Sequence, residues 1–349
     1  MKVFISIFLF FVIHLSFGQN IQGEVKDENG QVLSGASIYF DASTLGTITD
    51  ENGKFKLQKP EAQYAKLVIS FLGFETMIIS KPKSTVFYKV ILQPSDQQLD
   101  EVLVQAPPFT RKAMMKVFRR EFLGETRAGS RSEILNEDVI FFKFNLETNT
   151  LFGYSREPIQ VSNPYLAYNI TFDLVEFMAE FNLKTLSKNY MKKSFFAGTS
   201  YFENVSENKN RFFRRRKKAY LGSSLHFFRA LAQRKLKAEE FSIFHKGFFI
   251  KPDDVFKIEQ QDNIFEIQIL GNDFAEMKIF GLNTKKKFRK QISVLYEENR
   301  NKQTEIVFTK KSFKVDFQGN YDEIHSISFI GEMSKAKLGE MLPLNYRLK

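Results

Sequence analysis

The chain has 349 residues, a formal charge of +11 and no cysteine. Without cysteine there is no disulfide framework, thiolate metal site, cysteine nucleophile or lipid-acceptor thiol behind a signal. The length suffices for two domains, each burying its own core, and those cores alone must hold the chain together.

Residues 1–18 read as a signal peptide. Lys2 supplies the positive start, and residues 3–15 form an apolar run broken only by Ser6 and His14. Ser16 and Gly18 put small residues at positions −3 and −1 of a cleavage site before Gln19. A membrane anchor is the competing reading, but the run is short for a span of roughly 20 residues. No later segment reads as a transmembrane span. The expectation is an exported mature chain with no transmembrane span after cleavage.

From Ile21 the pattern changes to period two. Ile21, Gly23 and Val25 alternate with Gln22, Glu24 and Lys26, the signature of a half-buried strand. Asp27-Glu28-Asn29-Gly30 and Asp50-Glu51-Asn52-Gly53 are matching turns, since Asn-Gly tolerates the positive φ of a tight turn. Further strands are predicted at residues 36–40, through Phe55 and Leu57, along Leu67, Ile69 and Phe71, and at residues 77–80 and 86–92, with a turn at Gly73. Six or seven short strands about ten residues apart predict an antiparallel β-sandwich.

Three phrases in this region carry a resemblance. They are Gly23-Glu24-Val25-Lys26-Asp27 with Leu33-Ser34-Gly35-Ala36, the run from Leu45 through Asp50-Glu51-Asn52-Gly53 to Phe55, and Ile69-Ser70-Phe71-Leu72-Gly73-Phe74-Glu75. Together they resemble the carboxypeptidase-regulatory-like domain over residues 20–105. The resemblance implies a transthyretin-like sandwich of seven strands. In that family the module is the non-catalytic companion of a zinc peptidase domain. The peptidase needs a zinc-binding His/Glu pair and a distant third His. After the signal this chain holds only His226, His245 and His325, none in an H-x-x-E or H-E-x-x-H arrangement. Carboxypeptidase activity, zinc and other cofactors are therefore not expected. Leu99-Asp100-Glu101-Val102-Leu103-Val104 is similar to the end of the same sandwich in large outer-membrane transporters of the Bacteroidota. The remaining residues are too few, and lack the strand pattern, for the barrel that follows there. The resemblance implies a Gram-negative source of that group.

Ala106-Pro107-Pro108 marks a boundary, dividing the chain into a signal at 1–18, a sandwich at 19–105 and a second domain at 106–349. Thr110 predicts the cap of a helix to about Leu123, with Met114, Val117, Phe118 and Phe122 on one face and Gly124 as its stop. Tyr168, Ile170, Phe172 and Leu174 alternate as a strand, and residues 195–205 read as another. Residues 206–236 read as helical. Ser206 is the candidate cap of a first piece, Gly222 interrupts, and Ser223 or Ser224 caps a second piece carrying Leu225, Phe228 and Leu231. Strands return at 264–269, 291–296, 304–308, 312–317 and 324–330, with turns at Gly271-Asn272-Asp273 and Gln318-Gly319-Asn320. The predicted class is mainly β to α+β: the sandwich, then an α+β domain with mostly antiparallel sheet and a central helical insertion. Phe122-Leu123-Gly124-Glu125-Thr126 and Ala219-Tyr220-Leu221-Gly222-Ser223-Ser224 are similar to phrases in exported Bacteroidota proteins with the same front module, which implies context and no mechanism.

Phenylalanine is abundant, at 40 residues, and tryptophan is absent. This reads as a Phe-rich core and weakens a stacking-type sugar site. The basic excess is clustered. Arg211, Arg214, Arg215, Arg216, Lys217 and Lys218 form one cluster; Lys285, Lys286, Lys287, Arg289 and Lys290 form another. Two readings stand: a site for anionic lipid, lipopolysaccharide or acidic glycan, or a solvated basic face without a ligand. Nucleic acid is not expected for an exported chain.

Catalytic arrangements are weaker. Gly222-Ser223-Ser224 lacks the G-x-S-x-G elbow and reads as a cap. Glu239-Glu240 and Asp253-Asp254 are adjacent carboxylates, which point apart on a regular element. His226 beside Phe227 and Phe228 reads as a packed residue. There is no P-loop and no dinucleotide fingerprint. The expectation is an exported, non-enzymatic envelope protein of the periplasm or outer membrane, binding an envelope protein or anionic component. The alternative is an envelope hydrolase with its site in the second domain.

Overall fold

Alternating apolar residues and Asn-Gly turns produce the first pair of sheets. The computed structural model describes residues 20–60, 65–95, 108–207, 209–271, 273–278 and 284–348, with backbone alone at 274–278 and 284–286. The signal segment, Leu99 to Val104 and the Ala106-Pro107 boundary lie outside the described residues. Seven strands are β1 (Asn20–Asp27), β2 (Ser37–Phe40), β3 (Gly46–Ile48), β4 (Lys54–Gln58), β5 (Lys66–Ser70), β6 (Met77–Ser80) and β7 (Phe87–Leu92). They form two sheets, β4-β1-β7 and β3-β2-β5-β6. The inward residues Ile21, Val25, Ile38, Phe40, Leu67 and Ile69 are essentially inaccessible to solvent and make the shared core. Burying such side chains contributes about 1.5–3 kcal/mol each. β1 and β7 run parallel, whereas the other pairings between named strands are antiparallel.

The two matching turns share one mechanism. Asp27 Oδ1 accepts from the amides of Asn29 and Gln31, and Asp50 Oδ1 from those of Asn52 and Lys54. Gly30 and Gly53 follow at φ +80° and +69°. They differ in surroundings. A Cβ on Gly53 would lie 2.7 Å from the Val25 carbonyl oxygen, whereas one on Gly30 would meet nothing within 4 Å. Gly30→Ala is expected to cost about 1–2 kcal/mol, the left-handed penalty alone. Gly53→Ala should cost visibly more, because backbone must also move. Equal denaturation midpoints for the two variants would refute this account of the turn.

Helix α1 (Arg111–Leu123) opens the next unit. Thr110 Oγ1 accepts from the Ala113 amide, and Gly124 ends the helix at φ +91°. The helix packs its apolar face on a sheet of β8 (Glu133–Ile134), β9 (Ile140–Asn145), β10 (Thr150–Ser155), β11 (Ile159–Asn163), β12 (Tyr168–Phe181) and β13 (Met191–Asn204). β11 pairs with residues 168–172 of β12 and β10 with residues 178–180, while β13 runs along the opposite edge. A register shift between Leu174 and Glu176 bulges Val175 outward. Phe118 joins helix to sheet, its ring 4.5 Å from Phe177 and 4.9 Å from Phe122.

Two helices follow, α2 (Asn210–Tyr220) and α3 (Ser224–Ala232). Ser223 caps α3 by accepting from the His226 amide. Ser206 does not cap α2: the helix begins at Asn210, and the buried Ser206 instead donates its amide to Asn204 Oδ1. The remaining strands are β14 (Phe241–His245), β15 (Phe248–Ile250), β16 (Phe256–Gln261), β17 (Ile264–Ile269), β18 (Phe274–Lys278), β19 (Thr284–Phe288), β20 (Lys290–Tyr296), β21 (Thr304–Phe308), β22 (Ser312–Asp316) and β23 (Ile327–Gly331). They make the sheets β15-β14-β20-β21-β23 and β16-β17-β22 and the β18-β19 hairpin. The strand predicted from Ile324 starts at Ile327, because residues Ile324–Ser326 form a 3-10 turn entered through Glu323 at φ +56°.

Beyond the sandwich, apolar side chains gather into two cores rather than one. The first joins α1 to β8–β13, the second joins α3 to β14–β23. The end of the chain ties the units together. Leu338 and Leu342 return to the α1 core, and the Leu344 amide donates to the Ala42 carbonyl of the sandwich. At the same joint the Ala42 amide donates to Ser200 O, Phe202 N to Ser43 O, and Tyr39 and Thr199 hydroxyls lie 3.2 Å apart.

Candidate functional site

Helix α2 separates its basic residues into two jobs. At 100° per residue, Arg211, Arg214, Lys217 and Lys218 fall on one side and Phe212, Arg216 and Tyr220 on the other. The four are exposed, and Phe212, Arg216 and Tyr220 are buried. Among the described residues no ion pair joins the four to a carboxylate, although Glu207 and Glu340 feel the fields of Arg211 and Lys218. Arg215 lies between, half-buried, with its guanidinium 4.4 Å from the Tyr165 ring centre and donating to Tyr165 O.

Arg216 belongs to the interior and not to a surface. Its guanidinium donates to Leu166 O, Ala167 O and Asn204 Oδ1, each at 2.8 Å, and lies 3.8 Å from the Tyr168 ring centre. It satisfies carbonyls where the chain turns into β12, with Ala167 at φ +56°.

The second cluster is also divided. Lys290 is buried and pairs with Asp273 Oδ2 at 2.5 Å, so it too is withdrawn from the surface. That ammonium is the main cause holding the Asp273 carboxyl below the usual range. Lys287 and Arg289 are exposed; Lys285 and Lys286 lie on β19, opposite Met277 and Glu276 in the register, and their side chains are outside the description. The two clusters stand on different cores. α2 packs on the α1 core through Tyr220, whereas Phe288 of β19 belongs to the second core.

The three histidines occupy separate places. His226 is buried; its Nδ1 accepts from the Gly222 amide at 3.2 Å, so Nε2 carries the proton and donates to Glu239 Oε2 at 3.0 Å. Burial pushes its pKa down, partly opposed by Glu239. Ser223 Oγ accepts from the His226 backbone and not from its ring, which makes it a cap. His245 Nδ1 lies 2.9 Å from Gln291 O, and His325 stacks on Phe195. Among the described residues no group of three or more His, Asp or Glu is arranged to hold a metal ion.

Four polar side chains, of which Glu121 is buried and the others half-buried, meet beside the α1 core. Ser194 Oγ donates to Glu121 Oε2 at 2.7 Å and accepts from Lys337 Nζ at 3.3 Å, while Arg120 Nε donates to Glu121 Oε1 at 2.5 Å. A serine that gives its proton to a carboxylate and takes one from an ammonium is a bridge. It braces α1 and β13 against the final segment.

Two cavities lie elsewhere. One of about 20 Å³, room for about one water, sits in the joint and is lined by Phe40, Asp41, Lys66, Gln318 and Leu344. Burial pushes the Asp41 carboxyl pKa up there, against the Ser200 amide it accepts and the charge of Lys66. The other is an open trough of about 510 Å³ beside α1, across which Arg119 and Glu137 form an ion pair.

Residues 21–104 match the family model of the CarboxypepD_reg-like domain. This segment is a carboxypeptidase-regulatory-like domain. Over 91 residues the chain is 34% identical to the TonB-dependent receptor SusC of Bacteroides thetaiotaomicron, covering 26% of this chain and 9% of that protein. Over 87 residues it is 31% identical to the TonB-dependent receptor P3 of Formosa agariphila, covering 25% and 8%. The chain thus spans less than a tenth of the length of these curated relatives. Among solved structures, a cohesin–X-dockerin complex from Acetivibrio cellulolyticus is similar at 15% identity and a TM-score of 0.20, over 32% of this chain and 80% of that one. Among the described residues no helix is long and apolar enough to cross a membrane.

Proposed function

We propose that the chain is an exported, non-catalytic envelope protein of the periplasm or outer membrane. The sandwich serves as an adaptor or recognition module, and the region from 106 to 349 binds an anionic envelope component through the exposed side of α2. One observation carries this reading. Arg216 and Tyr220 hold the helix from its inner side, while the exposed cations at 211, 214, 217 and 218 have no carboxylate paired to them among the described residues. Four unpaired cations on one rigid face attract anionic surfaces by screened electrostatics. The segment shared with TonB-dependent receptors supports an envelope setting.

The test is binding of the full chain to lipopolysaccharide as salt is raised. Binding should weaken steeply as the Debye length shrinks from about 30 Å at 0.01 M to about 8 Å at 0.15 M. No binding at low salt, or binding indifferent to salt, would leave the face as a solvated surface.

A further inference from the structure

The hairpin of β14 and β15 leaves two phenylalanines largely exposed, Phe249 resting edge-on against Phe244 with ring centres 5.9 Å apart. Phe248 is 76% exposed and Phe249 63% exposed, Phe248 being the most exposed large apolar side chain among the described residues. The turn between the strands is Lys246-Gly247, both at positive φ (51° and 85°), as in a two-residue type I′ hairpin. Asparagine is the usual residue at the first position, because it tolerates the left-handed region; here a lysine occupies it. β15 is the edge strand of its sheet.

Phe248 and Phe249 are neighbours on a strand, so their rings point to opposite faces of the hairpin. Phe249 is cross-strand from Phe244, and Phe248 from His245. Each face of the tip therefore presents one ring that is more than half exposed. A flat protein surface or a sugar ring covers one face of a thin hairpin. A medium that surrounds the tip desolvates both rings together, and the basic flanks select an anionic one.

The flanks are basic. Lys246 and Lys251 are exposed at the two sides of the aromatic pair. Lys287 and Arg289 are exposed on the next hairpin, which Asp273 joins to this one: it accepts the Arg289 amide and lies 3.8 Å from His245 Nε2. Asp253 and Asp254 sit at the foot of the hairpin, beyond Ile250, with Asp254 accepting the Lys251 amide.

We infer that the β14–β15 tip enters the interfacial layer of an anionic bilayer, burying Phe248 and Phe249 among the acyl chains while Lys246, Lys251, Lys287 and Arg289 meet the headgroups. Apolar insertion and headgroup attraction are two separate signals, and such pairs make peripheral anchoring stable. The inference rests on the envelope reading above but uses none of the α2 residues.

The absence of tryptophan makes the experiment clean. In the full chain, Phe248→Trp introduces a single indole, with Phe249→Trp as a second reporter and Leu72→Trp, on an exposed residue of the sandwich, as control. Vesicles of phosphatidylglycerol and phosphatidylethanolamine should shift the emission of both tip reporters to the blue, and brominated acyl chains should quench it. The control should not respond. Phe248→Ser with Phe249→Ser should weaken vesicle binding by about tenfold or more, given the apolar area of two rings, with an unchanged melt. Neutralising the α2 face should leave the tip's blue shift in place at saturating vesicle. A chain that cosediments with the vesicles while both tip reporters stay unshifted overturns the inference and leaves the α2 reading intact. A dimer that the double serine variant abolishes, without any vesicle response, also overturns it and reassigns the tip to contact between copies.

Discussion

Arg216→Ala is expected to lower stability by about 1–3 kcal/mol, whereas Arg214→Ala on the same helix should change it by less than about 0.5 kcal/mol. The difference follows from position alone. Arg214 is exposed, and its loss frees no buried partner. Arg216 is 3% exposed and gives three hydrogen bonds to Leu166, Ala167 and Asn204. Removing it takes the partner from the Leu166 carbonyl oxygen and opens a space beside Tyr168, while Ala167 O keeps the Val205 amide and Asn204 Oδ1 the Ser206 amide. Arg216→Lys should rescue little, because one ammonium cannot span acceptors that a planar fork reaches together. Denaturant midpoints for the three variants decide the matter. Coincident midpoints for Arg214→Ala and Arg216→Ala would show that Arg216 is not structural.

Phe228→Ala should cost about 3–5 kcal/mol, the range for a large aromatic removed from a close-packed core. Phe228 is fully buried and meets Phe227, Phe313, Tyr321 and Phe329 at ring separations from 4.4 to 6.1 Å. It is the point where α3 meets the last sheets, so a cavity there loosens both. Phe248→Ala, at the bare hairpin tip, should stay within about 0.5 kcal/mol of the parent. A comparable loss for both would mean that the tip is packed in solution.

The contrast between these pairs shows where the sequence is legible. Local chemistry is. The Asp-x-Asn-Gly turns, the Thr110 and Gly124 ends of α1, the Ser223 cap and the alternation through Tyr168 and Ile170 all depend on residues within a few positions of each other. Partners far along the chain are not. Nothing near Arg216 in sequence tells that it reaches carbonyls about 50 residues earlier, and nothing near Lys290 points to Asp273. The parallel pairing of β1 with β7, the two cores beyond the sandwich and the contact of Leu344 with Ala42 are likewise products of tertiary assembly. Ser206 carries the right residue type for a cap, but the chain turns at Glu207, at φ +48°, and the helix begins only at Asn210. Phe248 and Phe249 look like core on composition. Only the Lys246-Gly247 turn hints that they stand at a tip, and their exposure is set by β15 lying at the sheet edge.

Removal of the exposed α2 charges tests the central claim most directly. Arg211→Gln, Arg214→Gln, Lys217→Gln and Lys218→Gln, combined in the full chain, remove the cations and keep polar side chains of good helix propensity. Cosedimentation with lipopolysaccharide at about 0.01 M salt, where screening is weakest, is the readout, beside a thermal melt. The account predicts binding weakened by about tenfold or more with the melt unchanged, each cation near an anionic surface contributing about 1 kcal/mol. Undiminished binding with the melt intact would contradict it.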